Sequence, residues 1–92
     1  MFLEIVTPEA SIFQGEVESV IVPGVVGQFQ MLENHAPIVS LLQAGKVKVR
    51  GNFTIDEAYK DMFIKGDDDY SELSIESGTI ELNDNKMIIL VD

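Results

Sequence analysis

The sequence predicts an all-β fold, an antiparallel sandwich, on three observations. Short runs rich in apolar and β-branched residues recur along the 92 residues, separated by turn signals at the spacing of about eight to twelve positions typical of sandwiches. Within several runs apolar and polar side chains alternate, as in Gln28-Phe29-Gln30-Met31, Lys46-Val47-Lys48-Val49-Arg50 and Glu72-Leu73-Ser74-Ile75-Glu76, which is the period of a strand with one face inward. Finally, the length suits a single core, so residues 1–92 read as one domain.

Taken in order, Phe2 to Thr7 is a strand ended by Pro8, and Ile12 to Val22 is a second, ended by Pro23-Gly24. The second is long for one sheet. Its acidic end (Glu16, Val17, Glu18) and apolar end (Val20, Val22) place different residue types on the same parity, so it is expected to bend and be shared between sheets. Gly24-Val25-Val26-Gly27 is a turn, and Gln28 to Met31 follows with Phe29 and Met31 on one face. After Asn34-His35-Ala36-Pro37, the apolar run Ile38 to Leu42 reads as a short buried strand; Gln43-Ala44-Gly45 turns into the basic strand Lys46 to Arg50. Near the end, Glu72 to Glu76 and Thr79 to Leu82 are strands broken at Ser77-Gly78, and Asn83-Asp84-Asn85 is a hairpin turn into Met87 to Val91.

Residues 53–69 depart from this rhythm. Ile55, Ala58, Tyr59, Met62 and Phe63 fall at helical spacing, Thr54 and Glu57 have the spacing of a capping box, and Gly66 can close a C-terminus. A short amphipathic helix at about residues 55–65 is expected. The alternative extends the preceding strand through Phe53-Thr54-Ile55 and leaves the remainder as a loop.

Composition narrows the functional classes. A formal charge of −10 with only six Lys and Arg argues against nucleic acid and against docking on anionic lipid, both of which need clustered cations. The absence of cysteine removes disulfides, thiolate metal sites and thiol nucleophiles. No apolar run reaches the roughly 18 residues of a membrane-spanning helix, and Met1-Phe2-Leu3-Glu4 lacks the pattern of a signal peptide. Half of the positive charge sits at Lys46, Lys48 and Arg50, most simply the solvated face of one strand balancing neighbouring acids.

No catalytic set emerges. His35 is the only histidine, and Glu33 is the only acid near it in sequence; with no nucleophile-elbow serine to complete a triad, His35 reads as a loop residue whose ring bonds a backbone carbonyl before Pro37. Asp67-Asp68-Asp69 lacks the spacing of a calcium loop and reads as a solvated turn, so no metal is expected. Gly24 and Gly27 sit between two strands rather than before a helix, which suits a tight turn better than a phosphate cradle, and no cofactor is implied.

The ordered motifs nevertheless resemble a known family. Leu3-Glu4-Ile5-Val6-Thr7-Pro8-Glu9, then Ile12-Phe13-Gln14-Gly15-Glu16-Val17, then Val20-Ile21-Val22-Pro23-Gly24 with Gly27, are similar to the opening of epsilon subunits of F-type ATP synthases. Phe29-Gln30-Met31-Leu32 and Asn34-His35-Ala36-Pro37-Ile38-Val39 continue the resemblance through Leu42, Gly45 and Val47, and it resumes at Ser77-Gly78, Glu81, Asn85-Lys86 and Ile89-Leu90-Val91-Asp92.

The resemblance implies a ten-stranded β-sandwich that works as a non-catalytic rotor part of a proton-translocating synthase. Its implied partners are the gamma subunit and the ring of c subunits, at the cytoplasmic face of a bacterial inner membrane. It implies that Gly27, Gln28 and His35 face the ring; Gln28 stands where an acid is common in the family, so a hydrogen bond replaces a salt bridge there. Residues facing gamma are not identified. Typical members continue into two helices that regulate hydrolysis; the sequence given ends at Asp92, so neither inhibition nor ATP binding by such a hairpin is implied. Two readings of other classes compete: a stand-alone β-sandwich binding module, and a small hydrolase using Glu33 and His35.

Overall fold

The computed structural model describes residues 1–92. Ten strands occur: β1 (Phe2–Val6), β2 (Ser11–Glu16), β3 (Ser19–Gly24), β4 (Gly27–Leu32), β5 (Ile38–Leu42), β6 (Gly45–Arg50), β7 (Phe63–Lys65), β8 (Ser71–Ile75), β9 (Gly78–Asn83) and β10 (Lys86–Val91). They form one continuous sheet in the order β2-β1-β10-β9-β5-β3-β6-β8-β7, with β4 on the other side of β3. The sheet folds over where β5 meets β3 at a single pair, Gly24 with Leu42. One layer is therefore β2-β1-β10-β9-β5 and the other β4-β3-β6-β8-β7. The expected long second strand is broken at Val17-Glu18, and its two halves, β2 and β3, go to different layers. Pairing is antiparallel except between β1 and β10, which run parallel in register Leu3 with Met87 and Ile5 with Ile89. That corrects the purely antiparallel expectation: alternation reports which face a residue takes but not the direction of its neighbour.

Alternate residues of both layers meet in a core of 19 buried residues, among them Leu3, Ile5, Val20, Val22, Met31, Val47, Val49, Ile80, Leu82, Met87 and Ile89, all at most 1% exposed. Interdigitation across two layers makes a stiff body, because packed side chains held from both sides have few alternative rotamers.

Two turns fix the ends. At the β3–β4 hairpin a Cβ on Gly24 would lie 2.7 Å from the Gly27 carbonyl and 2.8 Å from the Phe29 ring, so only glycine lets the strands close. At the β9–β10 hairpin Asp84 and Asn85 both take left-handed conformations, φ 51° and 59°, the primed turn that matches strand twist.

Residues 53–69 hold a short helix within the expected span, in a form the sequence did not indicate. It is a 3-10 turn, Glu57–Met62, capped by the Asp56 carboxylate accepting from the Ala58 N–H at 2.9 Å; the Thr54–Glu57 capping box does not form. It ends at Phe63 rather than Gly66, because Phe63 to Lys65 pair with β8 as an edge strand. The segment fills the open side of the sandwich: Phe53 packs edge-on against Phe13 with ring centres 4.9 Å apart, Phe63 lies 6.3 Å from the same ring, and Ile55 and Tyr59 lean on the core.

Candidate docking surfaces

The residues singled out from the sequence lie at two ends of one strand. Gly27 and Gln28 open β4 at the hairpin tip, exposed beside Val25 and Val26. His35 follows the other end of β4, in a turn closed by its own N–H donating to the Leu32 carbonyl at 3.1 Å. The strand is six residues long, so its two ends stand about 17 Å apart. The structure does not gather them into one cluster.

The His35 end is tied down by polar groups that the sequence reading passed over. Asn34 is left-handed, φ 64°, and exchanges two hydrogen bonds with Asn85: its N–H donates to Asn85 Oδ1 at 2.7 Å, and Asn85 Nδ2 donates to Asn34 Oδ1 at 2.8 Å. The charged amine of Met1 lies 2.5 Å from Glu33 and 3.2 Å from Glu16, and hydrogen bonding to Glu33 above all raises its pKa from 8.0. The His35 Nδ1–H donates to the Ala36 carbonyl at 2.7 Å, the loop-pinning role expected of it. Glu33 and His35 thus each bond another group and not one another, so no acid–base pair is assembled. The asparagine turns were visible in the sequence, but nothing there signalled that two of them meet.

The sandwich presents two outer faces. On the second layer Lys46, Lys48 and Arg50 point outward, and the expected balance by acids is present in the Lys46–Glu72 ion pair at 3.2 Å. Beside it Tyr70 is 7% exposed, with Arg50 stacked 4.8 Å over its ring. The Tyr70 hydroxyl meets Ser19 Oγ at 2.8 Å, and Gln30 Nε2 donates to both, at 2.9 Å to Ser19 and 3.2 Å to Tyr70. On the first layer several outward residues are apolar, interleaved with Glu4, Thr79 and Glu81. Val39 is 77%, Leu41 61% and Leu90 50% exposed, which corrects the reading of Ile38 to Leu42 as a wholly buried strand: only one of its faces is covered.

No group of three or more histidine, aspartate or glutamate side chains is placed to hold a metal. Asp67 to Asp69 form a turn in which Asp69 is 3.9 Å from Lys65.

Against known proteins, the whole chain, residues 1–92, matches the family described as ATP synthase, Delta/Epsilon chain, beta-sandwich domain. The chain belongs to that family. It is 38% identical over 90 residues to an ATP synthase epsilon chain of Chlorobium limicola, covering 98% of this chain and 86% of that one. With the epsilon chain of Leptospira interrogans identity is 37% over 90 residues, 98% of this chain but 59% of the relative, so these epsilon chains differ in how far they extend beyond the sandwich. Among solved structures, a chain of the Tetrahymena thermophila mitochondrial ATP synthase central stalk and c-ring superposes with a TM-score of 0.77 at 14% identity, over 99% of this chain and 62% of that one. A Euglena gracilis counterpart gives 0.72 at 20% identity, over 97% and 48%. At those identities the likeness is one of fold. Membership in the family carries the coarse role: an epsilon-type chain of ATP synthase.

Proposed function

We propose that this epsilon-family chain is a rotor subunit of a proton-translocating F-type ATP synthase at the cytoplasmic face of a bacterial inner membrane. It binds the gamma subunit and the c-ring and holds them in register as they turn. The observation that carries the reading is the match of the entire chain to the epsilon sandwich, joined to bacterial epsilon chains at 37–38% identity. The geometry supports it. A sheet folded onto a 19-residue core transmits force with little internal slip, and torque transmission calls for stiffness and tight docking rather than chemistry.

Gly27, Gln28 and His35 are the proposed ring-facing positions. Because β4 separates them, both ends meet the ring only if that strand lies along its surface. The Gln28 amide offers the ring a neutral donor and acceptor in place of a charge. Size-exclusion of the chain mixed with gamma tests the binding role: co-elution at micromolar concentration is expected, and separate elution contradicts it. For the ring contact, Gln28→Ala and His35→Ala should each lower protons pumped per ATP hydrolysed in the assembled complex while leaving the fold intact. Unchanged pumping in one variant removes that end of β4 from the contact.

A further inference from the structure

Strand β4 carries both ends proposed to face the ring, yet it is an edge strand. It is hydrogen-bonded to β3 alone, from the Gly24–Gly27 pair to the Ser19–Leu32 pair. Its inward side chains, Met31 and the half-buried Phe29, reach the core, but its other edge has no strand beside it. A strand held from one side opens at lower cost than a central one, so a strand that bears load there needs a second support. The outer face of the second layer supplies it. Register sets Leu32, Ser19 and Arg50 in one row across β4, β3 and β6, and the pairing of Val49 with Ser71 places Tyr70, just before β8, at the end of the same row. Neighbouring strands are about 4.8 Å apart, so the Tyr70 ring crosses β6 under the Arg50 guanidinium and its hydroxyl arrives at β3. There it meets Ser19 and Gln30, and one side chain ties the start of β8 to β6, β3 and β4.

The tie is firm at both ends. The Tyr70 backbone is fixed where residues 53–69 return to the sheet: its N–H donates to the Asp67 carbonyl at 3.0 Å, and its carbonyl accepts from the Gly66 N–H at 2.8 Å. At the other end Ser19 is fully buried and Tyr70 nearly so, and a hydroxyl in such a place is costly to leave unpaired. The Gln30 amide closes the set, donating to Ser19 at 2.9 Å and to Tyr70 at 3.2 Å, while one hydroxyl donates to the other at 2.8 Å. Moving β4 by one residue would turn Gln30 to the core face and break both of its bonds. Gln30 lies between Gln28 and Leu32, whose carbonyl closes the His35 turn, so holding it fixes both ends of the strand. We propose that Tyr70, Ser19 and Gln30 are positioning residues for the ring contact: they brace the edge strand, so that load at Gln28 or His35 passes into β3, β6 and β8 rather than bending β4. This rests on the reading above of those ends as ring-facing. It also gives residues 53–69 a task, as the footing of the brace.

Protons pumped per ATP hydrolysed by the assembled complex, read beside amide hydrogen exchange of the full chain, test this. Tyr70→Phe, which keeps the ring under Arg50, and Gln30→Leu should each lower pumping per ATP as Gln28→Ala does. Both should speed exchange of β4 amides about tenfold while β9 and β10 change less than about twofold. Gln30→Glu, whose carboxylate can accept from both hydroxyls, should pump as the wild type does. A loss in Gln28→Ala with none in Tyr70→Phe and Gln30→Leu overturns the brace and leaves the ring contact standing, even where β4 exchanges faster. Equally faster exchange in β9 and β10 means general loosening of the sandwich and overturns it too. So does a loss in Gln30→Glu equal to that in Gln30→Leu, which removes the hydrogen bonds as the cause. If Gln28→Ala and His35→Ala both leave pumping unchanged, the ring-facing reading itself fails and this inference falls with it.

Discussion

The two outer faces of the sandwich differ in whether their side chains are already satisfied. On the second layer, two of the three strand cations conspicuous in the sequence are engaged within the chain, Lys46 with Glu72 and Arg50 with the Tyr70 ring, while Lys48 forms no ion pair; the neutral Gln30 bonds Ser19 and Tyr70. On the first, the exposed side chains at Val39, Leu41 and Leu90 are apolar, and the acids beside them lack counter-charges. A conspicuous charge run can therefore be the quiet face of a protein, because charge in water is stable without a partner. Apolar surface held out to water is the costlier feature, at about 25 cal/mol per Å², and points more directly to a missing neighbour.

That contrast can be broken by mutation. Tyr70→Ala has the largest expected effect, about 3 kcal/mol lost from unfolding free energy, since it removes a nearly buried ring and leaves Ser19 Oγ, itself buried, with one partner fewer. Leu90→Ala on the other face, half exposed, should stay within about 0.5 kcal/mol. Urea denaturation of both variants compares them, and equal losses would show that the two faces are not distinct in this sense.

Arg50→Ala comes next, with a loss of about 0.5–1 kcal/mol from the cation over the Tyr70 ring. The same substitution made in Tyr70→Ala should add nothing further if the contact is the cause.

Smallest is a pH effect at the Met1 end. The folded amine holds its proton more tightly than the free one because Glu33 and Glu16 accept from it. Its contribution is therefore complete below the unfolded pKa near 8.0 and lost as pH rises through the raised folded value. Unfolding midpoints should fall slightly as pH rises above 8, and Glu33→Gln should flatten that slope; an unchanged slope assigns it to other groups.

Much of this architecture was legible because alternation is a direct record of the pleat. Gln28 to Met31, Lys46 to Arg50 and Glu72 to Glu76 fall in strands β4, β6 and β8 with Met31, Val47, Val49, Leu73 and Ile75 inward. Residues 53–69 were harder. Ile55, Tyr59 and Phe63 do turn toward the core at a spacing of four, which imitates an α-helix, but Phe63 belongs to a strand paired with β8. That pairing is a tertiary event no local period encodes. Val39 and Leu41 show the same limit: an apolar run of five states that neither face avoids oil, not which face another part of the chain covers. The candidate site was legible as residue types rather than as a place. Gln28 and His35 are close in sequence, and only the extended course of β4 reveals that they stand at opposite ends.

The claim that this chain joins rotor parts without chemistry of its own is most directly tested in membrane vesicles carrying an F-type ATP synthase depleted of its epsilon subunit. Added back at saturating concentration, this chain should remain with the complex on sedimentation and raise ATP-driven proton pumping per ATP hydrolysed. Pumping that stays at the depleted level, with the chain left in the supernatant, would contradict the account.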